Sequence, residues 1–176
     1  MYLLEVSIIK DKEYEALRNR MTKMDAIFDQ KKPDKYRYFL YREWDQNLKK
    51  TTFILLNPST ATEKEDDPTI RRCIEYAYSW GYGSLAVVNL FAFRATDPKV
   101  MKKVKYPIGP VNDYYISNNA LTVAAWGNHG QHKGRSDEVR KLLTDIQLHC
   151  LTVTNEGEPG HPLYLDGKLK PIQYTP

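Results

Sequence analysis

The chain is 176 residues long, 41% apolar and 27% charged, a length and mixture that specify one globular domain and exclude disorder. Its 26 basic and 22 acidic residues leave a formal charge of +4, which permits a polyanionic partner without demanding one. No apolar run is long enough to span a membrane, Glu5 interrupts the apolar N-terminus, and Cys73 and Cys150 have no paired spacing, so a cytoplasmic protein with reduced thiols and no membrane partner is expected.

Residues 2–9 can form a short strand. Tyr14, Leu17, Met21, Met24 and Phe28 then recur at spacings of three and four, which predicts one amphipathic helix. Its apolar stripe can pack on the body of the protein or serve self-association or partner docking. With the polar stretch 29–35 it forms an N-terminal extension, 1–35, ahead of the main domain, 36–176.

Residues 36–43 alternate and are rich in aromatics, the pattern of an antiparallel strand. A short apolar run, 51–56, predicts a buried strand that ends at Asn57-Pro58. Asp67-Pro68 is a helix-start signal, Asp as N-cap and Pro at the first helical position, and Gly81 and Gly83 stop that helix. Residues 85–91 predict a second buried strand. Asp97-Pro98 repeats the start signal for a short basic helix. Residues 110–119 read as a helix and 120–126 as a third buried strand. Ser136 is placed to cap a further helix, and 149–154 form a fourth strand opening into a loop rich in Gly and Pro.

Strand and helix alternating four times specify an α/β fold with a mostly parallel sheet. Ligands of such sheets bind beyond the carboxyl ends of the strands. That rule selects Asn57 to Thr60, Asn89 with Arg94, Trp126 to His129, and the loop 155–161. Dinucleotide and P-loop glycine patterns and the hydrolase serine elbow are absent, and the histidines lack a metal-ligand spacing, so neither metal nor cofactor is expected. An Asn amide offers donor and acceptor to a water or a base edge, and a His can donate to developing negative charge. Asp67 is either a helix cap or an electrostatic partner for a cationic transition state. Asn57-Pro58 reads equally as a turn. Arg94, Lys99, Lys102, Lys103 and Lys105 against Asp97 alone form a basic segment, a solvated face or a phosphate-binding one.

The stretches LLNPSTAT at 55–62, DDPTIRRC at 66–73, WGYGSLAVVNLFAFRATDP at 80–98, GPVND at 109–113, AAWGNHG at 124–130 and GHPLYL at 160–165 resemble, in order, the bacterial and phage family catalogued as domain-of-unknown-function family 1643, over about residues 36–174. More distantly, their order is similar to the uracil-DNA glycosylase superfamily. LLNPS resembles its water-activating motif, VVNLF its base-reading Asn motif, AAWG its third strand end, and GHPLYL its final His motif.

This second resemblance implies a three-layer α/β/α fold around a central, mostly parallel four-stranded sheet, and a DNA glycosylase that flips out a base and cleaves its N-glycosidic bond. It implies catalytic roles for Asn57, Asp67 and His161, and base contacts from Ser59, Asn89 and Trp126. DNA contacts are expected from Thr60, Arg71, Arg72, Arg94, Lys102, Lys103 and Tyr164. Where the uracil enzymes carry an aromatic that excludes bulky bases, this chain has Ser59, which points to an enlarged or modified base. The alternatives are an enzyme acting on free nucleosides or nucleotides and a non-catalytic nucleic-acid-binding module.

Overall fold

The computed structural model of the chain describes residues 9–117 and 122–175. The strand expected at 2–9 lies almost wholly outside them. The four apolar runs form β3 (Lys50–Leu55), β4 (Ser84–Asn89), β5 (Thr122–Ala124) and β6 (Leu148–Cys150). They pair in parallel in the order β4-β3-β5-β6.

Among the described residues the sheet has seven strands: the four expected at its centre, the antiparallel strand expected at 36–43, and two more at its edges. β1 (Lys23–Phe28) and β2 (Arg37–Glu43) extend one edge and β7 (Ile172–Gln173) the other, each pairing antiparallel. The N-terminal helix is therefore shorter than its stripe implied. α1 spans Asp11–Asn19, and Met24 and Phe28 stand on β1. A spacing of four satisfies a helix face and, being even, also one face of a strand, so periodicity alone left these residues ambiguous. Tyr14 and Leu17 of α1 are 4% and 3% exposed within the main core, so this region is built into the same core and sheet as the rest.

Both Asp-Pro signals act as expected. Asp67 Oδ1 accepts from the Ile70 amide at 2.9 Å, starting α2 (Pro68–Ser79), and Asp97 Oδ1 accepts from the Lys99 amide at 2.8 Å, starting α3 (Pro98–Lys103). α4 covers Asn112–Ser117 and α5 Arg135–Leu142. Ser136 is not the cap of α5; Gly134 holds that position with φ +69°, and the Ser136 hydroxyl donates to Glu158.

Alternate strand residues separate two cores. Phe53, Leu55, Leu85, Val87 and Val123 pack with α1 and α2. Ile54, Val88 and Ala124 pack with Met101 of α3, Ile116 of α4 and Val139 of α5. The period of two sends neighbours along each strand to opposite faces, so a sheet covered on both faces needs the unbroken apolar runs seen in the sequence.

The irregular stretch between β3 and α2 is fastened by a buried ion pair. Arg42 Nε meets Asp66 Oδ1 at 2.8 Å with the two side chains 0% and 2% exposed, and the Tyr14 hydroxyl donates to Asp66 Oδ2 at 2.6 Å. Removing one partner leaves the other charged and buried. Asp66→Ala is expected to cost about 3–5 kcal/mol in urea unfolding, whereas Asp137→Ala, at the exposed end of a pair with Arg140, should cost less than about 1 kcal/mol.

Candidate functional site

In parallel strand order the central sheet runs second, first, third, fourth. The connections leaving β3 and β5 therefore diverge to opposite faces, and the crevice between them is where such sheets take ligands. At the exit of β3, the Asn57 side chain ties two loops together. Its Nδ2 donates to the carbonyls of Pro58 at 3.0 Å, Phe93 at 3.4 Å and Ala95 at 2.7 Å. With the NH2 so occupied, Oδ1 is the atom left to hold a water. Asn57-Pro58 is thus more than a turn: it clasps the exit of β4 to that of β3.

Asn89 ends β4. It is 1% exposed, and neither its Oδ1 nor its Nδ2 has a hydrogen-bond partner. By strand alternation it shares the face of Leu85 and Val87, the α2 side of the sheet. Its backbone is well satisfied in contrast. Asn112 Nδ2 donates to the Asn89 and Leu90 carbonyls, at 2.8 and 3.1 Å, and Arg135 Nε donates to the Leu90 carbonyl at 2.9 Å.

At the exit of β5, Gly127 adopts φ +69° and its amide donates to the Pro159 carbonyl at 2.8 Å. The positive φ of Gly127 turns the chain so that the final loop packs beside the strand end, where a Cβ at Gly127 would make ordinary contact, 3.6 Å, with that of His161. The Leu163 amide donates to His161 Nδ1 at 3.3 Å, which in the neutral ring leaves the proton on Nε2. Burial holds the imidazole below its ordinary pKa, and the Asp67 carboxylate opposes that shift. Asp67 is itself 8% exposed; beyond capping α2, its Oδ2 accepts from the Ala61 amide at 3.3 Å. Asn57, Asn89, Asp67 and His161 thus gather at the carboxyl edge of the sheet, with Asn89 and Asp67 on its α2 side.

Other expected residues are placed differently. Trp126 is 1% exposed in the core of the opposite face, where its Nε1 donates to buried Glu158 at 2.6 Å. It is a core side chain rather than a base contact, because Ala125 before it faces α2 and the alternation turns Trp126 away. Arg72 is 4% exposed, bonded to the Leu165 carbonyl and stacked 5.2 Å from the Tyr76 ring, so it fastens the final loop to α2 instead of meeting phosphate. Arg71 is held by Asp11 at 2.6 Å and Glu75 at 3.0 Å and lies 4.3 Å over the Tyr14 ring, which commits it to docking α1.

The remaining residues stand at the same edge. The half-buried Ser59 hydroxyl lies 3.0 Å from Thr96 Oγ1, and Thr60 beside it is exposed. Arg94 lies 5.1 Å over the Phe28 ring with Nε 3.4 Å from the Ser59 carbonyl. Lys102 donates to His129 Nδ1 at 2.9 Å, joining α3 to the exit of β5, and Lys103 is exposed. Tyr164 is 74% exposed with its ring 6.5 Å from that of His161.

Sequence reasoning missed the buried cations and amides that hold these exits. Arg37 is 1% exposed, donates Nη1 to the Ala61 carbonyl at 2.7 Å, and leaves Nε buried without a partner; burial pulls it down to about 10, with the Asp67 charge opposing. Glu158 is 2% exposed and receives Trp126, Ser136 and Arg140. A basic residue inside an alternating aromatic strand was the one available signal for Arg37.

The chain matches the family described as Protein of unknown function (DUF1643) over residues 37–163, and it belongs to that family. Comparison with curated proteins and with solved structures returns no match.

Because the folded His161 favours its neutral form, its contribution to stability is fully present above the ordinary 6.5 and is lost as pH falls through its lower folded value. An NMR titration is expected to give a His161 midpoint below 6.5, with Nε2 protonated above it.

Proposed function

For this member of the DUF1643 family, we propose a DNA glycosylase that flips a nucleotide out of the stack and hydrolyses the N-glycosidic bond of an enlarged pyrimidine. The observation that carries the reading is Asn89. Leaving a buried donor and acceptor unpaired costs about 1–3 kcal/mol for each group. An Asn amide is complementary to the donor–acceptor edge of a base, so a flipped base restores both bonds.

The surrounding groups suit the remaining steps. Asn57 Oδ1 accepts from a water and directs its oxygen at the sugar C1′. The C1′–N bond breaks and its electron pair departs on the base nitrogen, while the water's oxygen joins C1′ and its proton ends on the departing base nitrogen, so that one water is divided between sugar and base. His161, neutral with its proton on Nε2, donates a hydrogen bond to the charge developing on the base. Asp67 supplies a fixed negative charge near a sugar that becomes cationic. The two-faced packing around the β4-β3-β5-β6 order supports assigning the three-layer, uracil-DNA glycosylase-like arrangement. Thr60, Arg94, Lys102 and Lys103 would contact the DNA backbone, and exposed Tyr164 would wedge into the gap left by the base. On the resemblance to the uracil enzymes, Ser59 stands in place of their bulky aromatic residue, a change that would admit a substituted base; DNA modification or defence against phages whose DNA carries such bases is the natural setting.

Asn89→Leu replaces the unpaired amide by an apolar group of similar shape. It is expected to hold or raise stability, by up to about 1–3 kcal/mol in urea unfolding, while base release measured by mass spectrometry falls roughly a hundredfold or more. A purely structural Asn89 would give destabilisation instead. On DNA with enlarged pyrimidines, native protein should release the modified base and little uracil, and Ser59→Tyr should block that release by overfilling the pocket.

A further inference from the structure

A concavity lies beside the candidate site and shares a wall with it. It has a volume of about 520 Å3, within the usual range for ligand pockets, and none of Asn57, Asn89, Asp67 or His161 lines it. Its apolar surface comes from Tyr36, Tyr106, Pro107 and Ile108. Tyr106 is 66% exposed, and its carbonyl accepts the Tyr36 hydroxyl at 2.9 Å.

Lys31, Lys32, Lys105 and Lys133 surround that surface. All four are exposed, and among the described residues none makes an ion pair. Lys105 Nζ lies 5.2 Å over the Tyr106 ring. Asp29, the acidic residue of the lining, is turned to other work: its Oδ1 accepts the Lys31 and Lys32 amides at 2.9 and 2.8 Å, and its Oδ2 the Tyr38 hydroxyl at 2.6 Å.

The shared wall fixes the spacing. The Ala92 and Phe93 amides donate to the Ile108 and Pro107 carbonyls, both at 3.0 Å, while the Phe93 and Ala95 carbonyls accept Asn57 Nδ2. One extended segment thus separates concavity and candidate site, so they lie about two strand spacings, roughly 10 Å, apart. That is about three stacked nucleotides along one strand.

We propose that this concavity binds a flanking nucleotide of a single DNA strand, its base stacked on the exposed Tyr106 ring and its phosphates among the four lysines. The inference rests on nucleic acid being the substrate of the neighbouring site, and it assigns that substrate an unpaired flank.

The test is fluorescence anisotropy with a labelled oligothymidylate between about 50 and 200 mM salt. Replacing Lys31, Lys32, Lys105 and Lys133 together by Ala should weaken binding roughly tenfold or more and flatten the salt slope by about 0.7 for each phosphate no longer neutralised. Replacing Lys12, Lys49, Lys141 and Lys170 matches the charge change and should do much less. Tyr106→Ala should weaken binding roughly five- to a hundredfold, and Tyr106→Trp should restore it. Equal weakening by both lysine sets, no weakening by either, or full competition by thymidine monophosphate at the oligonucleotide's own concentration overturns the proposal. Base release by native protein combined with undiminished binding in the first lysine set sinks this inference alone. Lysine-dependent strand binding with no base release from any DNA sinks the glycosylase reading and leaves this surface standing.

Discussion

Residues 56–67 leave the sheet without a helix or strand of their own, so side chains must satisfy their backbone polar groups. β2 supplies two buried arginines for this. Arg42 reaches the Thr62 carbonyl at 2.5 Å and the Glu65 carbonyl at 3.3 Å as well as Asp66, and Arg37 takes the Ala61 carbonyl. Asp67 closes the stretch by accepting the Ala61 amide while starting α2. These charges hold the segment between Asn57 at one end and Asp67 at the other, and add to the carbonyl bonds of Asn57 and the helix cap of Asp67. The planar guanidinium suits the task, since one Arg42 bonds carbonyls from several turns of chain at once.

Against that background the Asn89 side chain stands apart. The same region commits Asn112 and Arg135 to the carbonyls of Asn89 and Leu90, so backbone satisfaction at this strand end is thorough. Among the buried polar atoms of the described residues that lack a partner, which also include Arg37 Nε and Asn112 Oδ1, Asn89 is the residue whose side-chain donor and acceptor are both unpaired. Asn57 shows the opposite arrangement: its amide NH2 is taken up in joining two loops.

The glycines and the final loop show how the site is closed. Gly127 turns with positive φ beside Pro159 and His161, and thereby links the last loop to the third parallel strand. Arg72, Tyr76 and Trp80 of α2 and its C-cap bond the carbonyls of Leu165, Asp166 and Leu169, so the segment after His161 is pinned to the same helix whose N-terminus carries Asp67. Helix α2 thus sets the separation of His161 and Asp67 from both ends.

Local signals in the sequence determined the parallel strands, the two Asp-Pro helix starts and the set of strand ends at which chemistry can sit. Each of these depends on neighbours a few residues apart: an apolar run, a capping carboxylate, a proline that cannot continue a strand. Tertiary structure decided the rest, because the deciding partners are distant in the chain. It assigned Met24 and Phe28 to a strand by offering them β2, turned Trp126 to the far face by strand parity, and committed Arg72 to a carbonyl 93 residues away. Which arginine is committed to a carbonyl, and which polar side chain is left unpaired, follow from long-range packing that no local pattern encodes.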